Sequence, residues 1–178
     1  MGMSSITLQP FGRDDFDRLI GWLPSEGALI AWCGAFFRYP LDHAQLERYL
    51  ASTEQPDTRF IFTAFENTDA VGHVEISHIW PHLSSRLSRV IVAPDHRQRG
   101  IGEAVVGQAL SYSFSEQHVD HIDLGVSASN EAAIACYRKL GFRHVGTWPK
   151  AIATPKQVID VYWMTVRRTH WAASRCQN

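Results

Sequence analysis

Arg97, Arg99, Gly100 and Gly102 fall within one short run, Val90-Ile-Val-Ala-Pro-Asp-His-Arg-Gln-Arg-Gly-Ile-Gly-Glu-Ala104. The chemistry that such a run can do is anion binding. Glycines carry no Cβ, so backbone N–H groups can approach a ligand closely. A helix that starts after them adds about half a positive charge at its N-terminus, and two guanidinium groups add more. The combination makes a cradle for a phosphate or pyrophosphate. Two familiar phosphate motifs fail on spacing. A dinucleotide fingerprint needs G-x-G-x-x-G with an acidic residue about 20 positions later, but Val105 stands where the third glycine belongs. A P-loop needs G-K-[ST], and no lysine lies between Pro94 and Arg138. The plain alternative is a strand–loop–helix connection with solvated basic side chains.

A second run, Asp123-Leu-Gly-Val-Ser-Ala-Ser-Asn-Glu-Ala-Ala-Ile-Ala-Cys-Tyr-Arg-Lys-Leu-Gly-Phe142, carries Asn130 and Tyr137. Ile122, Leu124 and Val126 alternate as a half-buried strand. Ser129 or Asn130 suits a helix cap, and Glu131 its first turn. Ala133, Cys136 or Tyr137, and Leu140 recur at helical spacing, and Gly141 stands at the C′ position. On this reading alone, Tyr137 is a core tyrosine and Asn130 a cap.

Taken together, Arg97-x-x-Gly100-x-Gly102 behind a V-x-P strand end, and L-x-V-x-x-x-N-x-x-A-x-x-x-Y-x-x-x-G-F from Leu124 to Phe142, resemble the GNAT acetyltransferase superfamily. The resemblance covers residues 6–167, with its specific motifs between 90 and 142, and leaves 168–178 as a C-terminal tail. It implies an α/β single-domain GNAT fold. The central mixed, mostly antiparallel sheet is splayed open for the cofactor, between the strand ending at Ala93 and the one ending at Val126, and flanked by helices. It implies acetyl-CoA as co-substrate and no metal. Backbone groups of Val90, Ile91 and Val92 would pair with the pantetheine arm as an added strand. Arg97, Gln98, Arg99, Gly100, Ile101, Gly102 and Glu103 would hold the pyrophosphate, mainly through main-chain N–H groups. Asn130 and Tyr137 would contact the cofactor, with Tyr137 as general acid. The implied reaction is direct acetyl transfer, in a ternary complex, to a primary amine on a small molecule or a protein N-terminus. The run Phe37-Arg-Tyr-Pro-Leu41 resembles the branch with the ribosomal-protein and spermidine acetyltransferases. Members often pair through their last strands, which makes a homodimer an expectation. A catalytically idle acetyl-CoA sensor, or a structural partner without cofactor, are the competing classes; the intact loop disfavours the second.

Only a neutral amine attacks. Neutralising a lysine-like amine at pH 7 costs about 4.6 kcal/mol, an α-amine only about 1 kcal/mol. A base is therefore worth more to a polyamine or lysine acceptor. The ribosomal-protein alanine acetyltransferases carry a glutamate where this sequence has Gly125. Replacement candidates are Glu75, preferred because its strand adjoins the one leading into the glycine loop, then Asp123, His73 and His78. Each has a solvated or structural reading, and ordered water is an equal alternative. The spacing of His73, His78 and His82 fits no tetrahedral zinc signature, and on a strand His73 and His78 point to opposite faces.

Trp22, Trp32, Phe36, Phe37 and Tyr39 crowd the region expected to wall the acceptor pocket; most read as core. With Glu26, Asp42 or Glu47 nearby they could hold a cation.

These residues must be positioned by a chain of 178 residues with net charge −1, enough for one domain with a real core and without the basic field of a nucleic-acid binder. No apolar run reaches membrane-spanning length, and no signal-peptide core opens the chain. Cys33, Cys136 and Cys176 lack paired spacing, which fits a reducing cytoplasm. Expected strands are 5–8, 59–66, 71–79 (a hairpin partner across a turn at 67–69), 85–93, 121–126, 142–148 and 157–167. Expected helices are 14–23, 41–51 with Asp42 as cap, 101–117 and 130–140. Residues 27–38 are either helical or an irregular aromatic segment, and in the tail Trp171 could dock.

Overall fold

A computed structural model describes residues 5–52, 58–79, 83–153 and 158–175. Strand β1 (Ile6–Pro10) leads through a 3-10 turn (Arg13–Asp15) into helices α1 (Phe16–Gly21), α2 (Glu26–Cys33) and α3 (His43–Ala51). An antiparallel run follows: β2 (Arg59–Glu66), β3 (Asp69–Ile79) and β4 (Ser84–Val92). Helix α4 (Ile101–Ser115), β5 (His121–Ser127) and α5 (Glu131–Lys139) come next, then β6 (Arg143–Ala153), β7 (Val158–Arg167) and α6 (Arg168–Arg175). The seven strands form one mixed sheet in the order β1-β2-β3-β4-β5-β7-β6. Only the β4–β5 pair is parallel.

The sheet is covered differently on its two faces. Both apolar rows of α4 (Ile101, Val105 and Ala109; Val106 and Leu110) are buried, packed with Val74, Ile76, Leu87, Leu124, Val126 and Met164. Burying one such side chain is worth roughly 1.5–3 kcal/mol, so this contact fixes α4, and with it the glycine loop, against β4 and β5. On the opposite face, over β2–β4 only, Phe16, Leu19, Leu29, Trp32, Leu46 and Tyr49 of α1–α3 enclose Ile61 and Ile91.

Local signals set most boundaries. Asp42 Oδ1 accepts from Gln45 N (2.8 Å) and caps α3. Asn130 Oδ1 accepts from Ala133 N (3.2 Å) and caps α5. Gly141, at φ +91°, takes the left-handed geometry that ends that helix. One expectation needs correction, and two left open are decided. The first helix does not begin at Asp14: the Asp15 carboxylate turns back onto the Gly12 N–H (2.9 Å), so a 3-10 turn precedes α1, which stops at Gly21. The aromatic segment is helical to Cys33 under a Ser25 cap, where Gly34 at φ +62° ends it. The tail is a helix from Arg168, and Trp171 does dock, its ring centroid 6.5 Å from that of Phe114. Gln157 and Cys176 lie outside the described residues.

Candidate active site

The sheet opens where the resemblance implied. Ser84–Leu87 pair with His121–Leu124, and the pairing then stops. On its other side β4 pairs Ser88 with Glu75 but Ile91 with His73, so Arg89 and Val90 stand against the single residue Val74. This bulge, with Arg89 at φ +49°, bends β4 away from β5. Val90–Val92 therefore run along the opening without a strand partner on the β5 side. The Val92 carbonyl accepts from Arg97 Nε (3.1 Å), which ties the strand end to the loop.

In the loop, Gln98 (φ +61°) and Gly100 (φ +78°) are both left-handed, and Gly100 forms the N-cap of α4 without any side-chain cap. The N–H groups of Gln98 to Glu103 make no hydrogen bond to a described residue, and intrahelical bonding begins with Ala104 N on the Gly100 carbonyl (3.1 Å). A Cβ on Gly100 would meet nothing within 4 Å, and one on Gly102 only Val92 Cγ2 at 3.5 Å. Free donors, a left-handed glycine and open space in front of them fit a pyrophosphate. The flanking side chains are engaged elsewhere: Arg99 with Glu66 (3.5 Å) and Glu103 with Lys139 (3.6 Å). Main chain rather than charge defines the cradle.

Tyr137 is buried in the α4–α5 core, edge-on to Phe142 at 5.6 Å. Burial, and then the neighbouring Cys136, push its hydroxyl well above the ordinary phenol range, so it stays protonated. Burial also raises the Cys136 thiol to about 11, with the Glu103 charge adding to the effect. Cys33 is likewise raised by burial, and its Sγ–H donates to the Leu29 carbonyl (3.1 Å). Neither sulfur is a ready thiolate nucleophile.

Glu75, 1% exposed, is the anionic centre of a polar cluster between β3 and the α2–α3 layer. Its Oε2 accepts from the Tyr49 hydroxyl (2.6 Å) and from Arg89. Its Oε1 accepts from the Ser77 hydroxyl (3.1 Å) and faces Arg59 Nε at 3.5 Å. Tyr49 Oη also lies 3.3 Å from His73 Nε2. Burial, and then the Arg89 charge, lower the His73 pKa to about 3, so that ring is neutral. Burial and the Glu75 charge keep the Tyr49 phenol protonated.

The strand position opposite this cluster is empty of carboxylate. Gly125 pairs with Trp163, and a Cβ there would stand 3.1 Å from Val161 Cγ1 and 3.6 Å from Trp163 Cζ3. Trp163 stacks on Trp148 (4.9 Å) under the Arg86 guanidinium (4.7 Å). Asp123 lies on the same face as Gly125 but contacts His121 (3.7 Å). His78 lies on the face opposite His73, and His82 is outside the described residues. Among the described residues no His/Cys/Asp/Glu group has metal-site geometry.

The aromatic segment is less of a core than expected: Trp32 and Phe37 are buried and Trp22 is half-buried against them, but Phe36 and Tyr39 are exposed. Trp32 lies parallel to Phe37 at 5.6 Å and donates from Nε1 to the Arg89 carbonyl (2.8 Å), buttressing the bulge. Tyr39 is spent on the Pro24 carbonyl (3.0 Å). The acids expected near these rings are engaged differently: Asp42 as a cap, Glu47 with Arg13 (2.7 Å). Sequence reasoning missed Tyr49, Arg59 and Arg89. The available signal was Arg89, a charge inside the apolar strand that feeds the glycine loop.

Residues 27–142 match the model of the acetyltransferase (GNAT) family. The L-amino acid N-acetyltransferase AaaT of Escherichia coli (strain K12) is 27% identical over 128 residues, 71% of this chain and 76% of that protein. The spermidine N(1)-acetyltransferase of Escherichia coli (strain K12) is 31% identical over 141 residues, 78% of this chain and 73% of that one. Among solved structures, a spermidine N-acetyltransferase from Vibrio cholerae, in complex with CoA and spermine, superposes with a TM-score of 0.83 at 22% identity. The match covers 96% of this chain and 99% of that one.

Proposed function

The chain belongs to the GNAT acetyltransferase family and is an N-acetyltransferase that uses acetyl-CoA; from that premise we propose direct acetyl transfer to the primary amine of a small molecule. The observation that carries the mechanism is the open β4–β5 edge facing a loop of free N–H groups. These residues suit acetyl-CoA, which supplies the acetyl group as an activated thioester.

In this reading Gln98 to Glu103 bind the phosphates through main chain, and Val90 to Val92 offer the strand edge. Asn130, exposed at the start of α5, adds a polar contact. The amine nitrogen forms a bond to the acetyl carbon, the carbon–sulfur bond breaks, and the nitrogen gives up one proton. Tyr137, protonated in the resting enzyme, passes its hydroxyl proton to the departing sulfur and regains one from water, while the proton lost by the nitrogen goes to solvent. No acetyl-enzyme step is invoked, because Cys33 and Cys136 are held as thiols. Glu75 enters as the anchor of Arg89 and Tyr49 rather than as the base: its two oxygens already take four partners. The amine proton then leaves through water. The relatives' acceptors, L-amino acids and spermidine by name, define the panel. Acceptor-dependent CoA release establishes the activity. Acetyl-CoA binding without release for any amine would leave the idle sensor as the reading.

A further inference from the structure

A cavity of about 280 Å³ opens between the α2–α3 connection and α3. Its apolar walls are the rings of Phe36 and Phe37, its floor is Tyr49 with Ser52, and its charged lining is Arg38 and Arg48. Two of its lining residues touch the sheet. Tyr49 reaches through to Glu75, and Phe36 lies 3.8 Å under the guanidinium of Arg89, on the β4 bulge.

Among the described residues the charge here is one-sided. Arg38 and Arg48 have no ion-pair partner among the described residues. Arg59 reaches the rim through Ser52 Oγ (2.7 Å), and Arg89 backs the Phe36 wall. Arg38 and Arg48 thus line the cavity and Arg59 and Arg89 flank it, while Glu75 behind Tyr49 is already shared by Arg59 and Arg89. Among the described residues, Asp42 and Glu47 of the same region are committed to the α3 cap and to Arg13. The main chain at Arg38 is held in place: Gln45 Oε1 accepts from the Arg38 backbone N–H (2.9 Å), while Gln45 Nε2 donates to the Arg38 and Pro40 carbonyls (3.1 and 2.9 Å). Guanidinium groups beside aromatic walls can recognise a planar anion on an organic body, and like charge repels a polycation.

The missing base points the same way. With Gly125 in the β5 position and Glu75 neutralised, the site suits an amine that loses its proton cheaply. The N-terminal α-amine of a peptide, with a pKa of about 7.7–8.0, loses it far more readily at pH 7 than an alkylamine near about 10.4.

We propose that this cavity holds the carboxylate of the acceptor, so that the substrate is an α-amino acid or a short peptide rather than a polyamine. The inference rests on the amine-acetyltransferase reading above and deepens it. The kinetic test measures CoA release with L-phenylalanine, its primary amide and spermidine, for the native enzyme and the Arg38→Gln/Arg48→Gln double variant. The native enzyme should favour the acid over the amide by about tenfold or more, as expected for loss of charge-assisted hydrogen bonds, with spermidine poorest. In the double variant that ratio should collapse, through KM rather than kcat. An amide or spermidine used as well as the acid, or a ratio unmoved by the double substitution, overturns the proposal. A second arm needs no turnover: N-acetyl-L-phenylalanine binding, followed by tryptophan fluorescence. Binding that weakens about tenfold or more in the double variant supports the carboxylate site even if no amine is acetylated, an outcome that would sink only the activity. Equal binding by both proteins, or none by the native one, overturns the carboxylate site.

Discussion

The Tyr49 hydroxyl donates to Glu75 Oε2 across 2.6 Å, and this bond joins helix α3 to strand β3 beneath the aromatic cluster. Both residues are almost fully buried, so the bond forms where water cannot replace it. Tyr49→Phe keeps the ring but deprives the buried carboxylate of a donor and removes the hydrogen bond between Tyr49 and His73 Nε2. The expected cost is about 1–3 kcal/mol, read as a lower denaturant midpoint with an unchanged slope. Glu75→Leu should cost more, about 3–5 kcal/mol, because it strands Arg89 and Arg59 without a counter-charge.

His73 makes stability fall in mild acid. Its pKa is about 3 in the folded protein and near 6.5 unfolded, so between those values the unfolded chain binds more protons. This contribution is complete above pH 6.5 and is lost as pH falls toward about 3, at up to roughly 1.4 kcal/mol per pH unit. Denaturant titrations at steps from pH 7 to 4.5 should show that slope, and His73→Gln should flatten it. Parallel curves for the two proteins would remove His73 as the cause.

The elements that the sequence disclosed are those with a local, repeated cause. The double apolar row of α4, the Asn130 and Asp42 caps, the Gly141 stop and the alternation of Ile122, Leu124 and Val126 each speak for themselves within a few residues. The glycine loop was legible for the same reason. The Glu75 cluster was not, because Tyr49, Arg59, Glu75 and Arg89 come from three strands and a helix and meet only through the register of β2, β3 and β4. Tyr49 read as an amphipathic-helix core residue, which it also is. The bulge at Arg89 left no turn residue to mark it: a non-glycine at φ +49° is held there by Trp32 and Glu75, both distant in sequence.

Restoring a carboxylate on β5 should not restore a base. A side chain at position 125 begins with a Cβ at 3.1 Å from Val161 and continues into Trp163. Gly125→Glu should therefore cost about 1–3 kcal/mol of stability from overpacking and lower kcat/KM. Calorimetry beside steady-state rates checks both. A variant with native stability and a faster rate below pH 7 would show that the Trp163 wall yields and that a base there helps.

Gly100 and Gly102 predict separable effects. Gly100→Val forces a β-branched residue to φ +78°, a strain of about 1–2 kcal/mol, and should both weaken acetyl-CoA binding and lower thermal stability. Gly102→Glu has room within the protein, meeting only Val92 Cγ2 at 3.5 Å, yet it sets a negative charge among the free N–H groups. Its fold should survive while acetyl-CoA affinity falls by about a hundredfold or more. Calorimetric titration of both variants separates the two causes, and native affinity in Gly102→Glu would contradict the phosphate cradle.

Tyr137 carries the sharpest test of mechanism, because its ring and its hydroxyl have different jobs. The ring packs edge-on to Phe142 within the core, and Tyr137→Phe preserves it, so folding and acetyl-CoA affinity should hold. The hydroxyl is the proposed proton donor. Losing a positioned acid costs about 10²–10⁴ in rate, and the loss should fall on kcat at saturating acceptor. Because burial holds the phenol well above its ordinary range, the native pH profile should rise as the amine deprotonates and show no descending limb up to pH 10. A variant that keeps its rate, or a native profile that falls near pH 9, would remove Tyr137 from the proton transfer and leave water to protonate the sulfur.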